Sequence, residues 1–171
     1  ISNTRLSETW DWSKIPPLQK LDLQSSKISG LLPVAANISA IELSACGFHK
    51  LDSGSFANLH NLVKLLITGN GISIIERHAF YNLPNLEELN VCFNNISGKS
   101  LSNIFEGLIN SSLKVLDLSF NPLRDLNKII FDNFTANRLE KISLTCCDIE
   151  AISSNIFNNF LALRELDLSE N

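Results

Sequence analysis

Four cysteines, three histidines, eighteen Asp and Glu and twenty asparagines are the side chains of this 171-residue chain able to bind metal, form disulfides, move protons or carry glycans. No Cys/His spacing suits a zinc site. His49, His60 and His78 stand apart from one another in the sequence and form no cluster. No activated nucleophile, phosphate-binding loop or carboxylate pair stands out. Neither catalysis nor a metal or other cofactor is expected. Four acceptor sequences for N-linked glycans are present: Asn37-Ile38-Ser39, Asn95-Ile96-Ser97, Asn110-Ser111-Ser112 and Asn133-Phe134-Thr135.

What positions these groups is a repeat. Segments beginning at Leu18, Ile38, Leu62, Leu86, Leu113, Leu139 and Leu163 follow L-x-x-L-x-L-x-x-N/C-x-L, all but the first with Asn or Cys at the ninth position. The ninth position holds Ser26, Cys46, Asn70, Asn94, Asn121, Cys147 and Asn171. Alternation within L-x-x-L-x-L predicts a short strand with one face inward. Successive strands then stack in parallel, and the inward Leu and Ile of each coil cover those of the next. A sharp turn after the strand leaves buried backbone groups that need partners. The Asn amide at position 9 supplies a donor and an acceptor, and a thiol supplies a weak donor. Cys46, Asn70, Asn94, Asn121, Cys147 and Asn171 are therefore expected to form a structural ladder between coils.

The coil returns also repeat. Phe56, Phe80, Phe131 and Phe157 fall at position 19, and the longest coil shifts its apolar pair to Phe105 and Leu108. These rings are expected to stack as a second apolar spine. Trp12 and Ile15 occupy the matching places before Leu18, so residues 1–17 are read as the tail of a preceding repeat and 18–171 as about seven repeats, the last truncated. This makes one solenoid without visible terminal caps.

Coil spacing also governs the cysteines. Cys46 and Cys147 lie four coils apart, about 20 Å at strand spacing, and Cys92 and Cys146 two coils apart, about 10 Å. Both separations exceed the roughly 7 Å Cα limit for a disulfide. No disulfide is expected within the chain. Cys46 and Cys147 should be buried, and Cys92 and Cys146 more accessible.

The outward strand positions form columns. Position 5 reads Asp22, Glu42, Leu66, Asn90, Asp117, Ser143 and Asp167; position 3 reads Lys20, Ala40, Lys64, Glu88, Val115, Lys141 and Glu165. The face is acidic at its ends and less polar in the middle, where Phe93 and Phe120 at position 8 add apolar area. Leu66, Asn90, Phe93, Val115, Asp117 and Phe120 are the candidate ligand-binding residues. Asn37, Asn110 and Asn133 fall away from the strands and Asn95 beside the ladder, all suited to a glycan.

Composition narrows the class. Apolar residues reach 44%, enough for a sizeable core, and the net charge of −4 argues against a broadly basic surface for nucleic acid or anionic membrane. With 28 Leu, 18 Ile and 20 Asn but only 4 Val and 7 Gly, the chain suits a small repeated unit better than a doubly wound enzyme. No apolar stretch is long enough for a transmembrane helix, and the first residues lack the pattern of a signal peptide.

The repeat resembles the leucine-rich repeat family over nearly the whole chain. The 24-residue coils with Phe at position 19 are similar to Toll-like receptor ectodomains and other extracellular members. The resemblance implies an α/β solenoid with a parallel sheet on its concave face and an irregular or short helical convex face. It also implies an extracellular or cell-surface segment of a longer receptor that recognises a protein or microbial ligand, as a homodimer or with an accessory protein, and signals through a separate domain. On this reading there is no nucleic-acid partner and no membrane contact. Other readings stay open: a secreted or matrix adaptor, a cytosolic repeat protein suited to unpaired thiols, or a plant-type receptor ectodomain, since Ser26-Lys27-Ile28-Ser29-Gly30-Leu31-Leu32-Pro33 is similar to N-x-L-S-G-x-I-P.

Overall fold

A computed structural model describes residues 5–6, 17–28, 37–126, 131, 134, 138–153 and 155–171. In chain order the strands are β1 (Arg5–Leu6), β2 (Lys20–Asp22), β3 (Lys27–Ile28), β4 (Ala40–Glu42), β5 (Lys50–Leu51), β6 (Lys64–Leu66), β7 (Ile74–Ile75) and β8 (Glu88–Asn90). A helix, α1 (Gly98–Gly107), follows, and then β9 (Val115–Asp117), β10 (Asp125–Leu126), β11 (Lys141–Ser143), β12 (Ala151–Ile152) and β13 (Glu165–Asp167).

Each L-x-x-L-x-L segment contributes one three-residue strand to a parallel sheet of order β2-β4-β6-β8-β9-β11-β13. Register is strict: Leu21, Ile41, Leu65, Leu89, Leu116, Ile142 and Leu166 are successive partners. The inward position is buried in every strand from β2 to β11, and its neighbours are not. Alternation with period two has therefore produced a sheet with one face in the core. Two-residue strands pair in parallel on the return side, as β1–β3, β5–β7 and β10–β12. This is the leucine-rich repeat solenoid expected from the sequence.

Among the described residues, the longest coil alone makes a helix, α1. Ser100, Leu101, Ile104 and Phe105 lie on its buried side, the spacing of an amphipathic helix. The helix stands where a further return strand would pair with β7. Its side chains serve that edge instead: Ser100 Oγ donates to the Ser73 carbonyl at 2.9 Å, and Asn103 Nδ2 donates to the Ile75 carbonyl at 2.7 Å. At its end Gly107 meets Phe80 closely. A β-carbon there would sit 3.2 Å from Phe80 Cβ and 3.3 Å from its backbone nitrogen.

The phenylalanines make two arrangements rather than one stack. Phe56 and Phe80 lie parallel, with centroids 5.6 Å apart. Beyond α1, Phe105 meets Phe131 and Phe134 edge-on, each at 4.7 Å. Phe160 closes the cluster, 5.3 Å from Phe131 and 5.7 Å from Phe134. Trp12, Ile15 and Asn133 lie outside the described residues.

Candidate functional site

The turn that presents the outer face is held from inside by the ninth-position side chains. Asn70 Oδ1 accepts from the backbone N–H of Cys46 and Phe48, at 2.8 and 3.3 Å, and its Nδ2 donates to the Leu43 and Thr68 carbonyls. Asn94 accepts from Asn70 and Ile72 N–H and donates to the Ile67, Val91 and Cys92 carbonyls. Asn121 accepts from Ile96 N–H and donates back to Val91. Asn171 accepts from Cys147 and Ile149 N–H and donates to Leu144. The two cysteines act only as donors among these bonds: Cys46 Sγ to Leu23 and Cys147 Sγ to Leu118, each a carbonyl of the preceding coil. No buried side-chain nitrogen or oxygen among the described residues lacks a partner.

This lacing fixes an unusual backbone at position 8. Ser25, Ala45, Gly69, Phe93, Phe120, Cys146 and Glu170 all have φ between 52° and 63°. Only one is glycine. A side chain in this left-handed region costs of order 1 kcal/mol, which cross-coil bonds offset: Phe93 N–H donates to the Ser119 carbonyl at 3.0 Å and Phe120 N–H to Thr145 at 2.8 Å. The geometry turns the position-8 side chains out. Phe93 is 56% exposed and Phe120 41%, and their rings stack in parallel with centroids 4.1 Å apart.

Leu66, Asn90 and Asp117 are direct register partners across β6, β8 and β9, so three of the six candidate residues form one continuous column. Val115 stands two residues before Asp117, between Glu88 and Lys141. All four are half-buried. Phe93 and Phe120 lie three residues past the column, along the rim. Asn90 and Asp117 are already engaged. Asn90 Nδ2 donates to Asp117 Oδ2 at 3.0 Å, and each side chain also accepts the N–H two residues on, from Cys92 and Ser119. Asp22 and Asp167 make the same local bond, to Gln24 and Ser169. Position 5 thus shapes the turn as well as presenting polar groups. The signal was legible in Asp117-Leu118-Ser119 and Asp167-Leu168-Ser169, an Asx turn repeated at one register.

Charges elsewhere on the face pair across coils: Lys64 with Glu88 at 2.8 Å, Lys114 with Glu87 at 2.9 Å and Lys141 with Glu165 at 2.7 Å. The centre therefore presents apolar and amide surface and the Asp117 carboxylate between paired charges. Asp167 is held below the usual carboxylate range, first by the Ser169 hydroxyl and then by the Ser169 N–H.

Cys92 corrects the expectation of an accessible thiol. It is only 9% exposed, and burial, with Asp117 adding negative charge, pushes its thiol up to about 11. Cys146 is half-buried, while Cys46 and Cys147 are buried with thiols raised by desolvation. Asn37, Asn95 and Asn110 are exposed. Asn95 borders an open groove of about 330 Å³, lined also by Ser73, Ser97, Pro122 and Arg124. His49, His60 and His78 are all exposed, and no group of potential metal ligands occurs among the described residues.

Known proteins share these features. Sequence profiles described as leucine rich repeat match residues 36–96, 85–108 and 110–126. Toll-like receptor 9 of Mus musculus is 31% identical over 145 residues, covering 80% of this chain and 14% of that protein. Osteomodulin of Bos taurus is 32% identical over 143 residues, covering 71% of this chain and 32% of that protein. Among solved structures, that of the TLR13–ssRNA13 complex superposes with a TM-score of 0.75 at 26% identity, over 90% of this chain and 22% of that one. The chain thus spans 14% and 32% of the lengths of these two curated relatives.

Proposed function

The chain belongs to the leucine-rich repeat family and resembles part of a Toll-like receptor ectodomain, and from that premise we propose that it is a ligand-recognition segment of an innate immune receptor. Ligand would contact the Leu66–Asn90–Asp117 column, Val115 and the Phe93–Phe120 rim. The observation that carries this reading is the stacked ring pair, two large aromatic side chains turned to solvent by a backbone that disfavours them. Contiguous exposed apolar area beside positioned polar groups is the usual anatomy of a contact site. The protein is read as extracellular, with glycans at Asn37, Asn95, Asn110 and Asn133 and a second copy or an accessory protein as partner. Recognition without catalysis accounts for the face described above.

The relative solved with ssRNA bears on the ligand. It means that this chain's acidic balance does not by itself exclude nucleic acid, so RNA belongs in any ligand panel beside proteins and microbial lipids. The likeness to osteomodulin supports a second reading, a secreted adaptor that binds a protein partner without signalling.

The test expresses the full receptor with a signalling reporter and challenges it with that panel. Leu66→Asp and Phe93→Asp should each abolish the response at unchanged surface expression. A retained response in both variants removes the face from the ligand site. Binding without any signalling output favours the adaptor.

A further inference from the structure

One dipeptide is chemically distinct from the rest of the ladder. Of twenty asparagines, only Asn70 is followed by glycine. An unhindered glycine amide is the neighbour most able to attack an asparagine side chain. Elsewhere in the ladder Asn94 is followed by the bulkier Asn95, and Asn121 by Pro122, which has no N–H to attack with. Both halves of the pair are used by this coil. Asn70 supplies the amide that laces it to its neighbour, and Gly71 sits at φ +78°, where a β-carbon is strained and would lie 3.5 Å from His49 Nδ1. The most labile dipeptide of the ladder therefore stands at a buried position.

The native state holds that position closed. Four hydrogen bonds fix the Asn70 carboxamide: two N–H groups on Oδ1, from Cys46 and Phe48, and two carbonyls receiving Nδ2, at Leu43 and Thr68. Attack by the Gly71 nitrogen on Cγ consumes this carboxamide, so it must break these bonds.

We propose that Asn70–Gly71 is a spontaneous deamidation site that the ladder keeps shut, so that time spent open or unfolded becomes a permanent loss of coil pairing. In the open chain the Gly71 backbone nitrogen loses its proton and bonds to Asn70 Cγ. The Cγ–Nδ2 bond breaks, ammonia leaves, and a five-membered succinimide remains. Water opens the ring to aspartate or isoaspartate, with no change of oxidation state. Both products lack Nδ2, so the Leu43 and Thr68 carbonyls lose their donor. In aspartate a carboxylate oxygen faces them instead, and in isoaspartate the former side-chain carbon joins the backbone and the free carboxylate hangs from Cα. Isoaspartate also lengthens the backbone by one carbon, which shifts every later residue of the coil. Neither product fits the slot that Asn70 left.

The experiment incubates the full chain, produced without glycans, folded and in urea at mildly alkaline pH, and follows deamidation by peptide mass spectrometry. Asn110, exposed and followed by Ser111, is the internal reference. Asn70 should deamidate roughly ten-fold or more faster in urea, the local opening equilibrium setting the native rate, while Asn110 reacts at similar rates in both states. Gly71→Leu, measured in urea where folding is irrelevant, should abolish the Asn70 reaction and leave Asn110 unchanged. On removal of urea, chains modified at Asn70 should be absent from the refolded fraction. Equal Asn70 rates in the two states, persistence in Gly71→Leu, or modified chains refolding with native stability would each overturn the proposal.

Discussion

Asn94 and Phe93 are neighbours in sequence with opposite accounts of why they are there. Asn94 makes five hydrogen bonds from a buried site. Asn94→Ala strands donors and acceptors on two coils, and at about 1–3 kcal/mol for each unsatisfied group it should cost at least ~3 kcal/mol in urea denaturation. Phe93 sits in the left-handed region, where glycine is at ease. Phe93→Gly relieves about 1 kcal/mol of backbone strain and forfeits a ring pair of about 0.5–1.5 kcal/mol. Stability should therefore change by under ~1 kcal/mol; a loss as large as that of Asn94→Ala would make the ring pair structural rather than a contact site. Cys92 adds a pH dependence. Its thiol is raised from 9.0 to about 11, so the folded chain favours the protonated form. The stabilisation is complete below the unfolded value and is lost as pH rises from about 9 through 11. Denaturation midpoints across that window should fall less steeply in Cys92→Ser than in the parent.

At the scale of elements, α1 acts as a substitute strand. It covers the β7 edge with three side-chain hydrogen bonds and packs its last glycine against Phe80. Gly107→Ala forces a methyl into a 3.2 Å gap and should destabilise by about 1–3 kcal/mol in thermal melts, as overpacking does. Asn103→Ala leaves the Ile75 carbonyl without that donor and should cost about 1–2 kcal/mol. The strands were legible in the sequence because each is set by three apolar positions only five residues apart. The helix was not. Leu101, Ile104, Phe105 and Leu108 were visible as apolar positions, but Ser97 makes no side-chain cap and the partner edge lies a coil away. The outer face was legible as columns of residues, yet the cross-coil bond that Asp117 accepts from Asn90 is seen only in the fold. The burial of Cys92 was equally hidden, being a property of the packed turn and not of residue type.

For the whole molecule, stability is a chain of nearest-neighbour contacts, since every strand of the sheet pairs only with the coils beside it. Such a frame holds the columns of its outer face in register. On the proposed reading, recognition is spread over coils and specificity resides in which side chains the columns carry. The most direct measurement is amide hydrogen exchange across the full receptor with and without a ligand that elicits signalling. Protection should increase at residues 90–93 and 115–120, where column and rim meet, and stay unchanged at α1 and in residues 155–161 of the return side. Protection confined to the return side, with the Phe93–Phe120 rim exchanging as before, would contradict the account.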